Sequence, residues 1–244
     1  MAYKFDPRPL TRYLSFSRFI AMLELGLFVP KASLFEDPFE GVLQFSSILT
    51  APESVSQSDL LALKEWIYVS CWYDDHHESH AMWNIYGSSH ESVAIQTTTH
   101  QLIKANWSFP ERPLTYFDKV RYLRPTEVKD FVETGVTVLV NSDKPSGFTP
   151  TYAAHSLFMK HKGYEYENEM RLVAVDPEAS SIMKNPALGK YLSPSDSREL
   201  IQNIFIHPLA PQWFEDATKL IVERYKLEVK VTRSSLSHSQ LTPT

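Results

Sequence analysis

The chain has 244 residues, 43% of them hydrophobic and 13% aromatic, and a formal net charge of -5. That is ample material for a packed core, and the negative balance excludes a general nucleic-acid coat, which needs clustered Lys and Arg. Cys71 is the single cysteine, so no internal disulfide can form and a reducing compartment is expected. Residues Met1 to Asp6 carry no apolar leader segment, and no run approaches about 18 apolar residues. The expectation is a cytoplasmic protein that does not span a membrane.

Along the chain, Ser15 or Ser17 can cap a helix carrying Phe19, Ile20 and Leu23, with Gly26 where a helix-ending residue belongs. Leu27-Phe28-Val29 reads as a short strand stopped by Pro30. A helix from about Ser58 to Trp66 leads into a buried strand, Ile67 to Trp72, and Ser79 can cap a short helix, Ala81 to Tyr86, closed by Gly87. Ser92 to Gln96 is the next strand, and Tyr116 to Tyr122 another. Thr151 to Lys162 has helical spacing with Gly163 after it. Glu169 to Val175 is a strand by composition, as is Asn203 to Ile206. Pro211 suits the first turn of a helix on which Trp213, Phe214, Ala217, Leu220, Ile221 and Tyr225 recur, and Glu228 to Thr232 closes the pattern. Helices and strands alternate irregularly. The expected fold is therefore α+β, a single domain over residues 1–233 with a mixed or split β-sheet flanked by helices. Residues 234–244 are polar and aperiodic and are expected to form a disordered tail.

Seven glycines are present, and no two lie within ten positions of each other. A phosphate-cradling loop and a dinucleotide fingerprint both need closer glycines, so kinase, P-loop and Rossmann readings fall away. The run Asp74-Asp75-His76-His77-Glu78-Ser79-His80 offers metal-ligand types, and His76 and His80 share a helical spacing. The run lacks the Glu that a zincin motif places after its first His, and a solvated loop before a capped helix explains it as well. No metal is expected, although a nuclease-like site on Asp74, Asp75 and His77 stays as a minor alternative. Cys71 sits in an apolar strand and reads as a small buried thiol.

Glu167, Glu169 and Arg171 make the sharpest constellation. On a strand Glu169 and Arg171 share one face, with Met170, Leu172 and Ala174 on the other. Such a carboxylate–cation pair can bind a sugar hydroxyl. It can equally be an ion pair at a sheet edge, and the residues alone favour that simpler reading.

Thr11-Arg12-Tyr13, Leu34-Phe35-Glu36-Asp37-Pro38-Phe39-Glu40, Val69-Ser70-Cys71, Met82-Trp83-Asn84-Ile85-Tyr86-Gly87 and Tyr166-Glu167-Asn168-Glu169-Met170-Arg171-Leu172-Val173 occur in that order. In this order and spacing the chain resembles the bacterial domain-of-unknown-function 2971 family over nearly its whole length. It departs from the family at Glu36, where members usually have Asn, and at Met170, where they often have Trp. The layout is also distantly similar to ADP-ribosyltransferases of the toxin type. Those enzymes place a His or Arg early, a Ser or Tyr on a middle strand and a Glu on a later strand.

That resemblance implies Glu169, Arg12 and Ser70 as catalytic residues. It also implies Arg12, Tyr13, Trp83, Tyr86 and Arg171 as contacts to NAD, the implied co-substrate. The acceptor would be an unknown macromolecule, protein or nucleic acid, and a partner or antitoxin protein is a further expectation. Glu169 would stabilise a ribosyl cation-like transition state from an open cleft, and Glu169→Gln would leave the melting temperature unchanged. The alternative is a non-catalytic nucleotide- or protein-binding regulatory module.

Overall fold

The computed structural model describes residues 7–35, 62, 64–87, 89–105, 114–127, 156–176 and 185–237. In chain order these form β1 (Pro9–Ser15), α1 (Phe16–Leu25), β2 (Phe28–Pro30), β3 (Ile67–Tyr73), α2 (His80–Tyr86), β4 (Ser92–Thr98) and α3 (Thr99–Lys104). Then follow β5 (Leu114–Lys119), β6 (Arg121–Leu123), β7 (Met159–His161), β8 (Glu169–Val175) and β9 (Gly189–Tyr191). The chain closes with α4 (Pro194–Glu199), β10 (Asn203–Ile206), α5 (Gln212–Arg224) and β11 (Lys230–Arg233).

The chain packs as two compact units. Unit 1 is Met1–Phe28, Cys71–Asn106 and Tyr191–Thr244; unit 2 is Val29–Ser70 and Trp107–Lys190. Each unit is assembled from segments distant in sequence, and among the described residues the chain passes between them inside β2, β3 and β9.

Unit 1 is built on a mixed sheet. β1 pairs antiparallel with β4 along its whole length, from Pro9 opposite Thr98 to Ser15 opposite Ser92. β4 pairs antiparallel with β10, and β10 pairs parallel with β11. The parallel pair is joined by α5, as a parallel connection requires, and α5 buries Phe214, Thr218 and Val222 four residues apart. Leu10, Val93, Ile95 and Ile204 of this sheet are fully buried, while Phe205 is partly buried. Ser15 is the residue that caps α1, its hydroxyl accepting from the Arg18 N–H. The helix stops at Gly26, whose φ of 100° and approach to the Leu192 carbonyl leave no room for a side chain. Ser79 caps α2 as expected, accepting from the Met82 N–H.

Residues 234–237 are held by contacts to other parts of unit 1. Ser234 and Ser237 are buried, the Ser234 N–H bonds the Ile206 carbonyl, and the Ser235 N–H bonds the Glu78 carboxylate. Backbone polar groups that find partners hold a segment that lacks apolar periodicity. Residues 238–244 lie outside the described residues.

In unit 2, β5 and β8 pair antiparallel from Leu114 opposite Val175 to Lys119 opposite Met170. β6 and β7 pair parallel, Arg121 opposite Met159. Residues 159–161 are thus strand where helical spacing suggests helix, because the partner strand lies nearly forty positions earlier. All seven residues of β8 are buried, so both of its faces are covered and the alternation of a half-exposed strand does not apply. The expected helix over 58–66 falls mostly outside the described residues, and its last turn, Lys64–Trp66, is a 3-10 turn. Together the units make an α+β protein with a mixed sheet flanked by helices. No helix among the described residues is long and apolar enough to cross a membrane.

Candidate functional site

The polar centre of unit 2 grows from the start of β8. Lys162–Glu167 forms a 3-10 turn that ends at Asn168, whose left-handed backbone (φ 38°, ψ 56°) suits an asparagine. That kink separates Glu167 from the strand, so Glu167 and Glu169 are not simple alternate positions on one face. Both instead reach the ammonium of Lys160 on β7. The Lys160 Nζ donates to Glu167 Oε2 and, at 3.0 Å, to Glu169 Oε1.

Arg171 closes the cluster from the other side. Its Nε donates to Glu169 Oε2 at 2.6 Å and its Nη2 to Glu169 Oε1 at 2.9 Å. Its Nη1 donates to the Leu157 carbonyl at 2.7 Å. The fork geometry of a guanidinium on a carboxylate is met. Glu169 is 4% exposed, Glu167 3% and Arg171 1%. Phe35 covers the Arg171 guanidinium at 5.6 Å and Tyr164 the Lys160 ammonium at 4.7 Å. The Tyr122 hydroxyl accepts from the Glu169 N–H at 2.7 Å.

The two carboxyls are driven apart in acidity. Burial alone would raise Glu169, but the charge and hydrogen bonds of Arg171, with Glu167 and Lys160, outweigh it and hold the carboxyl well below the usual range. Burial, reinforced by a hydrogen bond to Glu169, pushes Glu167 up to about 7. A proton resting on Glu167 near neutral pH is thus held beside an ionised carboxylate, the arrangement that separates acid and base roles in paired-carboxylate sites.

Unit 1 gathers a different set. Arg12 and Tyr13 are neighbours on β1 and project to opposite faces. The half-buried Arg12 guanidinium lies 5.8 Å from the Trp72 ring, and burial lowers its pKa. Tyr13 packs edge-to-face on Trp83 at 4.9 Å, and its hydroxyl accepts from the Ser79 N–H at 2.9 Å. Burial raises the Tyr13 hydroxyl above its ordinary pKa. Trp83 is 1% exposed, and its Nε1–H donates to Glu78, so its ring belongs to the core of the unit. Tyr86 is exposed on α2.

The structure therefore brings together Glu169 and Arg171 in unit 2, and Tyr13 and Trp83 in unit 1. Ser70 is fully buried on β3. The open cleft expected around Glu169 is not what surrounds it: a local ion-pair network closes both carboxylate oxygens. Sequence reading missed Lys160, because helical spacing masked a strand made by a non-local partner. Asp74 to Ser79 form a loop before His80 opens α2; in it the Asp75 carboxylate accepts from the His77 N–H, and Asp74 lies 3.4 Å from Arg8. Among the described residues no group of three or more His, Cys, Asp or Glu is placed to hold a metal.

A family model described as "Protein of unknown function (DUF2971)" matches residues 82–172. The DUF2971 resemblance stands over that stretch. The matched segment runs from α2 into β8 and contains Trp83, Tyr86, Lys160, Glu167, Glu169 and Arg171; the motifs at Thr11 to Tyr13, Leu34 to Glu40 and Val69 to Cys71 lie outside it. No curated protein matches the chain. Among solved structures, Thermus sp. 2.9 DarT in complex with NAD+ is similar over 95% of this chain and 97% of that chain, at 11% identity and a TM-score of 0.40. At that level of similarity nothing about activity transfers.

Proposed function

We propose that the chain is an NAD-using, ADP-ribosyltransferase-like effector of the toxin or phage-defence type that modifies a macromolecular acceptor. The supporting observation is the carboxyl pair inside the DUF2971 stretch, with Glu169 held ionised and Glu167 titrating near neutrality. In this reading the ribose–nicotinamide bond breaks with its electron pair leaving on nicotinamide. Glu169 faces the developing ribosyl cation, exchanging an Arg171 or Lys160 hydrogen bond for one from a ribose hydroxyl. The acceptor nucleophile bonds to the ribosyl carbon and gives its proton to ionised Glu167. Ser70 is the remaining candidate contact to NAD in unit 2, and the protein acts in the cytoplasm under the control of a cognate partner.

A second reading, a non-catalytic regulatory module, is favoured by one observation: both Glu169 oxygens already accept from Arg171 and Lys160 in a buried network. A carboxylate so committed serves as a structural strut. Incubation with NAD labelled in the adenosine half, with cell extract as acceptor source, separates the two. The transferase reading expects label transfer or nicotinamide release by the wild type, and its loss in Glu167→Gln measured on folded protein. A wild type that neither consumes NAD nor transfers label, yet retains a stable partner, establishes the module instead.

A further inference from the structure

Unit 1 holds a cavity of about 490 Å3, within the roughly 300–1,000 Å3 of small-molecule sites. Its floor is His207, which follows β10 and is 5% exposed. The His207 backbone N–H bonds the Ser92 carbonyl, and its Nδ1 accepts from the Leu209 N–H at 3.1 Å. An imidazole whose Nδ1 accepts carries its proton on Nε2. Among the described residues no side chain or carbonyl accepts from that Nε2–H. Burial, with His90 and His80 nearby, lowers the His207 pKa to about 4 and keeps the ring neutral.

The ring is held on two sides. The Trp83 edge meets it at 5.1 Å, and His90 stacks over it at 5.1 Å with 30° between planes. Trp83 is fixed in turn by Glu78, which also takes the Ser235 N–H. His80, Asn84 and Ser89 complete the polar rim, and Leu209 and Leu236, both substantially exposed, form an apolar wall.

Among the described residues the lining contains no Asp, Glu, Lys or Arg. A polyphosphate would find no fixed cation there, and an amine no carboxylate. The site does offer a neutral N–H donor, an amide that both donates and accepts, a hydroxyl, and flat rings beside apolar side chains. We infer that unit 1 carries a binding pocket for a neutral, planar heteroaromatic ligand of the nucleobase type, stacking at His90 and read by His207 Nε2–H and Asn84. This goes beyond the carboxyl chemistry of unit 2.

The test is calorimetric titration of the full chain with free adenine, cytosine and guanosine, beside inorganic pyrophosphate. Saturable one-to-one binding of at least one base is expected, with the His207 Nε2 resonance moving in nitrogen-15 spectra. His90→Ala and Asn84→Ala alter exposed residues, so they leave the fold intact, and each weakens binding about three- to tenfold. No saturable binding at about millimolar base, an affinity unchanged in both variants, a stationary His207 resonance, or pyrophosphate binding as tightly as the base each overturns the assignment. None of the probes contains nicotinamide, so the outcome is independent of whether NAD is consumed.

Discussion

Replacing Glu169 by Gln tests the buried network most directly. The substitution keeps the side-chain volume and removes one charge from a cluster of two carboxylates and two cations, all less than a tenth exposed. Arg171 then keeps a buried guanidinium whose Nε and Nη2 donors, now 2.6 and 2.9 Å from carboxylate oxygens, face an amide with a single acceptor. Removing one partner of a buried ion pair costs about 3–5 kcal/mol, against a total stability of about 5–15 kcal/mol. For a chain of this size that is a fall of about 6–20 °C in melting temperature. Thermal and urea denaturation of Glu169→Gln, Arg171→Met and the double variant measure it. The double variant loses both charges together, so a coupling of about 0.5–3 kcal/mol that partly restores stability is expected. A melting temperature within about 2 °C of wild type, with no coupling, would refute the buried-pair argument. The expectation of an unchanged melting temperature, made from an open cleft, is replaced by this one. Loss of NAD turnover in Glu169→Gln therefore has meaning only when folded protein is compared.

Three further outcomes are expected. Because the Glu167 carboxyl is raised to about 7 from 4.5, the native state binds that proton more tightly than the unfolded chain. Its contribution to stability is full below about 4.5 and lost as pH rises through about 7. Urea denaturation from pH 5 to 8 should show the stability of wild type relative to Glu167→Gln declining with pH, at most about 1.4 kcal/mol per pH unit, while the lowered His207 gives both proteins the same opposing rise; parallel profiles would contradict it. Gly26→Ala places a Cβ 1.7 Å from the Leu192 carbonyl oxygen at a φ of 100°, so a loss above about 1 kcal/mol is expected, and an unchanged denaturation midpoint would count against the close approach. Tyr13→Phe removes the acceptor of the Ser79 N–H at the start of α2, costing about 1 kcal/mol and lowering the melting temperature by about 2–4 °C; no shift would mean that water replaces the hydroxyl at no cost.

Much of unit 1 and the course of β8 were legible in the chain itself. Ser15, Gly26, Ser79 and Gly87 act through bonds to residues within four positions, and Glu169 to Val175 is strand-forming by composition. Local chemistry decides such features, and local chemistry is what a sequence displays. What the amino-acid order could not show were the pairings that join distant segments. β7 is a strand because Arg121–Leu123 lies beside it. Lys160 belongs with Glu167 and Glu169 because that pairing, together with the left-handed turn at Asn168, turns three charged side chains inward. The pair Glu169–Arg171 was visible as a pair, but its burial was not, since Phe35, Leu157 and Lys160, which meet its charged groups, come from other segments of the chain. His207 gave no signal at all. Its neighbours Trp83 and His90 lie more than a hundred positions away, and only folding places them against its ring.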